Sequence, residues 1–327
     1  MRRCLALASR ARGLVGNGAM VGAVLVRKGQ IIAEAHHAGF GLRHAERSLL
    51  ESFRGDIHPE DILFTNLEPC CHTGRTPPCT NIIVERGIRK VIYGMRDSDP
   101  RVAGKGIALL QSQGLSVTGP VDLAECERLN RGFNAVRTLG RPWITLKMAR
   151  TLDGRIANGD GSPLKITSTE QDRWSHTWLR SMVDAILIGV QTVMTDDPLL
   201  DTRFAQKLNT NTDQYYPLRF ILDPSLRIPE YSKILTNSPH QTILVAAEDR
   251  APADRISTLA QRGIRVMLAP LSGQAFDLAA LFTLLVTPQS DYHGITSMLV
   301  EGGPKTWETF RRAGAVDEDV VLVGDGG

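Results

Sequence analysis

The sequence predicts an α/β protein in two domains, and three observations lead there. At 327 residues the chain is longer than a single hydrophobic core usually serves. Short apolar runs alternate with helical patterns through both halves, as expected where helices cover a sheet. The helical pattern from Asp122 to Thr138 stops at the breaker run "LGRP". That break divides the chain into domains at 1–140 and 141–327.

The opening "MRRCLALASRARG" reads as a helix, because its apolar stretch is cut by Ser9 and Arg10 and no cleavage-like site follows. "MVGAVLV" and "QIIAEAHH" are strands joined by a turn at Lys28-Gly29. A helix follows from about Ala45, then the strand "DILFTNL", a helix after Cys79, the strand "KVIYGM", a helix near "GIALLQSQG" and a strand at "LSVTG". From Asp122 to Thr138, Leu123, Cys126, Leu129 and Phe133 recur at helical spacing and predict one helix. The second half opens with the strand "PWITLKMA" and continues through a helix around "EQDRWSHTWLRSM". Further strands are predicted at "DAILIGV", "PLRFILD", "QTILVAA", "IRVMLA" and "TSMLVEGG", with a surface loop from Arg203 to Tyr216.

Composition excludes several classes. With 42% hydrophobic and 22% charged residues the chain is an ordinary globular one. A formal charge of +3, 6% aromatics and no long basic run argue against a nucleic-acid partner. No window is apolar enough over the length a membrane span requires. A cytoplasmic protein without a membrane partner is expected. No G-x-G-x-x-G follows a strand, so a dinucleotide site would need another architecture.

Five cysteines form an odd set, and Cys70, Cys71 and Cys79 crowd into ten positions, which suits a metal or catalytic cluster better than disulfides. Isolated Cys4 and Cys126 read as buried, inert thiols. "HAERSLLESF" begins at His44 and "LEPCCHTGRTPPC" ends at Cys79. A histidine with two cysteinates and a position left to water is an established catalytic zinc set, which His44, Cys70 and Cys79 supply. Glu46, two residues from His44, is placed to carry protons, as in the H-x-E and P-C-x-x-C pattern of zinc deaminases, here with a longer loop between thiols. Pro77-Pro78 precede a helix start, so the helix N-terminus favours a Cys79 thiolate. Cys71 or His72 closing the fourth corner would instead make an inert structural site. "EGGPKTWETF" is a strand, a Gly-Gly turn and a helix, a place where amides can cradle phosphate.

At "HAE", "LEPCCHTGRTPPC", "DPRVAGKG", "LKMARTLDGRIA", "TVMTDDPLLDTR" and "VEGGP" the chain resembles the bifunctional deaminase/reductase family of riboflavin biosynthesis along nearly its whole length. The resemblance implies an N-terminal cytidine-deaminase-like three-layer domain and a C-terminal dihydrofolate-reductase-like domain lacking its last strands, which would expose a sheet edge. It implies zinc on His44, Cys70 and Cys79, proton transfer by Glu46, and pyrimidine contacts from His37 and Asn17. For the reductase it implies NADPH contacts from Ala149, Thr192, Asp196 and Gly303, and substrate contacts from Arg180, Leu200, Arg203 and Glu301. The arginines suit a phosphorylated ribose, because a guanidinium offers a fork of donors. A phosphorylated pyrimidine substrate and a homo-oligomer are likewise implied. Departures are visible: "GNGAMVG" stands where the family usually reads Pro-Asn-Pro-x-Val-Gly, Arg43 replaces a proline, and Lys165 replaces a tryptophan before "IT". The alternative readings are a working deaminase with a weakened or lost reductase, a nucleic-acid base deaminase, and a zinc-stabilised binding module.

Overall fold

A computed structural model describes residues 1–158, 164–205 and 216–324. By contacts the chain forms two compact units, Met1–Arg141 with Pro288–Thr296, and Pro142–Thr287 with Ser297–Gly327.

The first unit begins with α1 (Arg2–Ala8), then β1 (Gly22–Arg27) and β2 (Gln30–His36). Lys28 and Gly29 both take positive φ, which suits the tight turn of this hairpin. There follow α2 (Ala45–Ser52), β3 (Ile62–Leu67), α3 (Cys79–Glu85), β4 (Lys90–Met95), α4 (Lys105–Ser112) and β5 (Ser116–Thr118). The sheet order is β2-β1-β3-β4-β5, antiparallel at the first two pairs and parallel at the last two. Alternation along β1 makes the layers. Val24 packs with Cys4 and Leu7 of α1 on one face, while Ala23 and Leu25 pack with Ala45, Leu49 and Leu50 of α2 on the other. Helices on both faces of one sheet give three layers.

The helix expected from Asp122 to Thr138 is two, α5 (Leu123–Leu129) and α6 (Arg131–Leu139). The break falls at Asn130, whose side chain is drawn into the core: Oδ1 accepts the Met20 N–H and Nδ2 donates to the Met20 carbonyl. Asn66 adds a second amide clamp, accepting from Gly22 and donating to Met20. A buried polar group that satisfies a distant backbone outweighs local helix periodicity.

The second unit comprises β6 (Trp143–Thr151), α7 (Thr169–Trp178), β7 (Ala185–Gly189), α8 (Val190–Asp196), β8 (Leu218–Leu222), α9 (Lys233–Thr236), β9 (Thr242–Ala247), α10 (Ala253–Gln261) and β10 (Arg265–Ala269). A small hairpin of β11 (Leu271–Ser272) and β12 (Ala275–Phe276) precedes α11 (Leu278–Val286), β13 (Ser297–Val300), α12 (Pro304–Arg312) and β14 (Glu318–Gly324). Its main sheet runs β10-β9-β8-β7-β13-β6-β14 with every pair parallel. Ile186, Leu187, Ile188, Phe220, Ile221, Leu299 and Val300 are all fully buried, as expected of parallel strands covered on both faces. The chain steps over β13 between β6 and β7, which makes the carboxyl ends of these strands a switch point where α/β sheets bind ligands. The centre of the expected Arg203–Tyr216 loop, 206–215, lies outside the described residues.

Candidate metal centre and active-site pocket

His44 is the residue before α2, Cys70 lies in the loop after β3, and Cys79 opens α3. Their ligand atoms lie within 4.8 Å of one another. The His44 Nδ1 is 3.4 Å from Cys70 Sγ and 3.5 Å from Cys79 Sγ. Tetrahedral zinc with ordinary bond lengths spaces nitrogen and sulfur by about 3.6 Å, so the three residues fit the ion. His44 Nε2 is 3.3 Å from Thr76 Oγ1, a partner that orients the ring. Among the described residues no fourth ligand joins this group. Cys71 Sγ lies instead 3.9 Å from the Arg101 carbonyl.

The expectation for the thiols is corrected. The first amide of α3, on Cys79, donates to Cys70 Sγ at 3.3 Å, so the helix terminus serves the other sulfur. The hydrogen bond with Cys79 holds the Cys70 thiol down to about 4, helped by His44. Cys79, hydrogen-bonded to Cys70, buried, and 3.5 Å from Glu46 Oε2, is pushed up. Glu46 is 3% exposed, and burial followed by the Cys70 charge lifts its carboxyl to about 7. Hydrogen bonding to Cys70 raises His44.

His44, Glu46 and Cys70 open into a cavity of about 460 Å³ that Asn17, His37, Phe40, Arg75, Asp97 and Arg137 also line. His37 Nδ1 faces the Arg43 carbonyl at 3.1 Å, so that nitrogen carries the proton, and burial lowers the ring's basicity. Asn17 and His37 thus share one cavity with Glu46. Asp97, Arg137 and Phe40 were not singled out from sequence. Asp97 is buried, which pushes it up to about 6. It borders the quoted "DPRVAGKG" run, whereas Phe40 carries no local signal. Glu68 secures this wall by accepting from the amides of Asp97, Gly104 and Ile107.

In the second unit, Ala149 is near the carboxyl end of β6, Thr192 and Asp196 are on α8, and Glu301 and Gly303 follow β13. The fold sets these strand ends side by side. Arg180 does not present an open fork. Its Nε and Nη2 donate to Glu301 at 2.8 and 2.7 Å, and its Nη1 donates to the Asp201 carbonyl at 3.1 Å and faces His176 Nε2 at 3.0 Å. Burial penalises the Glu301 charge, but Arg180 outweighs it and holds the carboxyl at about 2. The Arg203 Nη1 donates to both Asp201 carboxylate oxygens, at 2.8 and 2.9 Å, and the side chain is half exposed. Leu200 is buried with φ of 49°. Lys165 pairs with Asp172 of α7. Space is open around the Cβ position of Gly303, which caps α12.

Residues 1–95 match the cytidine and deoxycytidylate deaminase zinc-binding region, and residues 142–324 match the RibD C-terminal domain. Fold, metal site and these two matches define a bifunctional enzyme, a zinc-binding deaminase joined to a reductase. The Riboflavin biosynthesis protein RibD of Aquifex aeolicus is 35% identical over 99% of this chain and 85% of its own length. That of Escherichia coli is 33% identical over 99% and 86%. Among solved structures, Acinetobacter baumannii RibD is 31% identical with a TM-score of 0.80, covering 98% of this chain and 85% of that one. A Thermotoga maritima diaminohydroxyphosphoribosylaminopyrimidine deaminase/5-amino-6-(5-phosphoribosylamino)uracil reductase is 30% identical with a TM-score of 0.78, covering 99% and 85%. The chain belongs to the RibD family of riboflavin biosynthesis proteins. No helix among the described residues is long and apolar enough to cross a membrane.

Proposed function

We propose that this enzyme catalyses both steps named for its Thermotoga maritima relative. The first is hydrolytic deamination of 2,5-diamino-6-(5-phosphoribosylamino)pyrimidin-4(3H)-one, and the second is NADPH-dependent reduction of the ribosyl group to ribityl. The observation that carries the reading is the convergence of His44, Cys70 and Cys79 beside a buried carboxylate that no ligand role consumes. Zinc, when bound, supplies the Lewis acidity that makes water reactive near neutral pH. Glu46 takes a proton from the attacking water and delivers it to the departing amine. Asn17 and His37 orient the pyrimidine within the cavity, which shields the exchange from bulk water. In the second unit, NADPH when bound supplies the hydride. Gly303 and the start of α12 hold its phosphates, Ala149, Thr192 and Asp196 border it, Leu200 packs beside the sugar, and Arg203 binds the substrate phosphate. Glu301, fixed by Arg180, accepts from sugar hydroxyls. The substrate is a free small molecule rather than nucleic acid, and the family resemblance supports a cytoplasmic homo-oligomer.

The test follows ammonia release and NADPH oxidation separately on one preparation given the pyrimidine. Ammonia should appear first, with one NADPH consumed for each. Deamination of RNA in preference to the pyrimidine would overturn the first assignment. No NADPH consumption, even with the reductase's own substrate supplied, would overturn the second.

A further inference from the structure

The segment Pro288–Thr296 belongs by contacts to the first unit, although the flanking sequence on both sides belongs to the second. It is well seated there. Tyr292 and Ile295 are buried, and Gly132 of α6 approaches so closely that a Cβ would lie 2.6 Å from the Thr296 carbonyl oxygen.

His293 of this strap touches two walls of the deaminase cavity. Its carbonyl accepts the Asn17 N–H at 3.0 Å. Its ring stacks on Phe40 with centroids 4.3 Å apart and planes inclined by 15°. The Arg75 guanidinium carbon is 4.2 Å from the centroid of the same Phe40 ring. Asn17, Phe40 and Arg75 all line the cavity that holds Glu46.

The loop carrying Asn17 needs such support, because Gly16 and Gly18 flank it and glycines leave a chain free to wander. Within the loop a turn is closed by the Gly18 N–H on the Val15 carbonyl at 3.0 Å. Gly16 has φ of 57°, and a Cβ there would lie 2.3 Å from the His293 carbonyl oxygen. Only glycine permits that approach, and the approach delivers the Asn17 amide to its acceptor. A ring-recognising side chain held before substrate arrives loses less freedom on binding.

Resting on the substrate reading above, we propose that His293 is a positioning residue of the deaminase. Its carbonyl fixes the Asn17 loop and its imidazole fixes Phe40, so that both stand ready for the pyrimidine. The deaminase cavity is therefore completed by a strap encoded in the C-terminal half of the sequence.

The test uses the full chain with His293→Ala, His293→Phe and Gly16→Ala. His293→Ala should raise the deamination KM about tenfold with kcat nearly unchanged, a loss of binding rather than of chemistry. Zinc content and NADPH oxidation on the reductase's own substrate should stay at the parent level. His293→Phe keeps a flat ring against Phe40 and should restore most of the KM. A parent KM in His293→Ala, a fall in kcat that tracks zinc loss, or no rescue by His293→Phe would overturn the proposal. If the parent releases no ammonia from this pyrimidine, the substrate reading alone fails. The strap is then decided by hydrogen exchange at the Asn17 amide: about tenfold faster exchange in Gly16→Ala supports it, and unchanged exchange overturns it.

Discussion

Glu46 sits in the first turn of α2, two residues after His44, and that local geometry buries a carboxylate beside the His44, Cys70 and Cys79 cluster without making it a member. Glu46→Gln keeps the volume and the hydrogen-bonding reach but cannot cycle a proton. Metal analysis should show full zinc, while kcat for ammonia release falls by about 10² to 10⁴. Retained turnover would show that the proton moves by another group. The convergence of His44, Cys70 and Cys79 was legible in sequence, because His44 and Glu46 share one helix start and the two thiols bracket one loop. Which sulfur the helix terminus serves was not legible: the Cys79 amide points at Cys70, and only the fold of the 70–79 loop decides that. The resemblance implied a substrate contact from Arg180, but the carboxylate that takes two of its guanidinium nitrogens could not be read from the sequence. Its partner Glu301 lies 121 positions away, beyond any local pattern.

Between elements, two buried polar contacts carry more than local periodicity suggests. Asn130 separates α5 from α6 and holds Met20 through both amide atoms, on the approach to β1 and the Asn17 loop. Asn130→Ala leaves the Met20 N–H without that partner in a buried site, and should cost about 1–3 kcal/mol in urea unfolding. The residues predicted one helix there because Leu123, Cys126, Leu129 and Phe133 keep helical spacing across the break. The Arg180–Glu301 pair joins the turn after α7 to the end of β13. Arg180→Met strands a buried carboxylate and should cost about 3–5 kcal/mol while abolishing NADPH oxidation. The pair also sets an acid limb. Glu301 titrates at about 2 in the folded protein against an ordinary 4.5, so its contribution is complete above 4.5 and is lost as pH falls toward 2. Urea midpoints measured across that window should fall with pH in the parent and flatten in Arg180→Met. An equal slope in both would remove the pair from the account.

For the molecule as a whole, the strand and helix alternation fixed the α/β class, since strands of period two and helices of period 3.6 leave distinct traces. The strap escaped notice because Pro288–Thr296 forms no long regular element, and its role depends on contacts with residues 16, 17, 40 and 132. The division into units yields a final prediction. His44, Cys70 and Cys79 belong to the first unit, whereas Ala149, Arg180, Arg203, Glu301 and Gly303 belong to the second. His44, Cys70 and Cys79 would hold the zinc between the 70–79 loop and the start of α2, so chelation would remove the tie between these segments and loosen both. The second unit has its own parallel sheet and fully buried core, which chelation does not touch. Treating the protein with a zinc chelator should therefore abolish ammonia release, lower the thermal midpoint of the first unit, and leave NADPH oxidation on the reductase's own substrate intact. Adding zinc back should restore ammonia release alone. If NADPH oxidation instead falls and returns in step with the metal, the two chemistries share a determinant that the residue assignment does not contain.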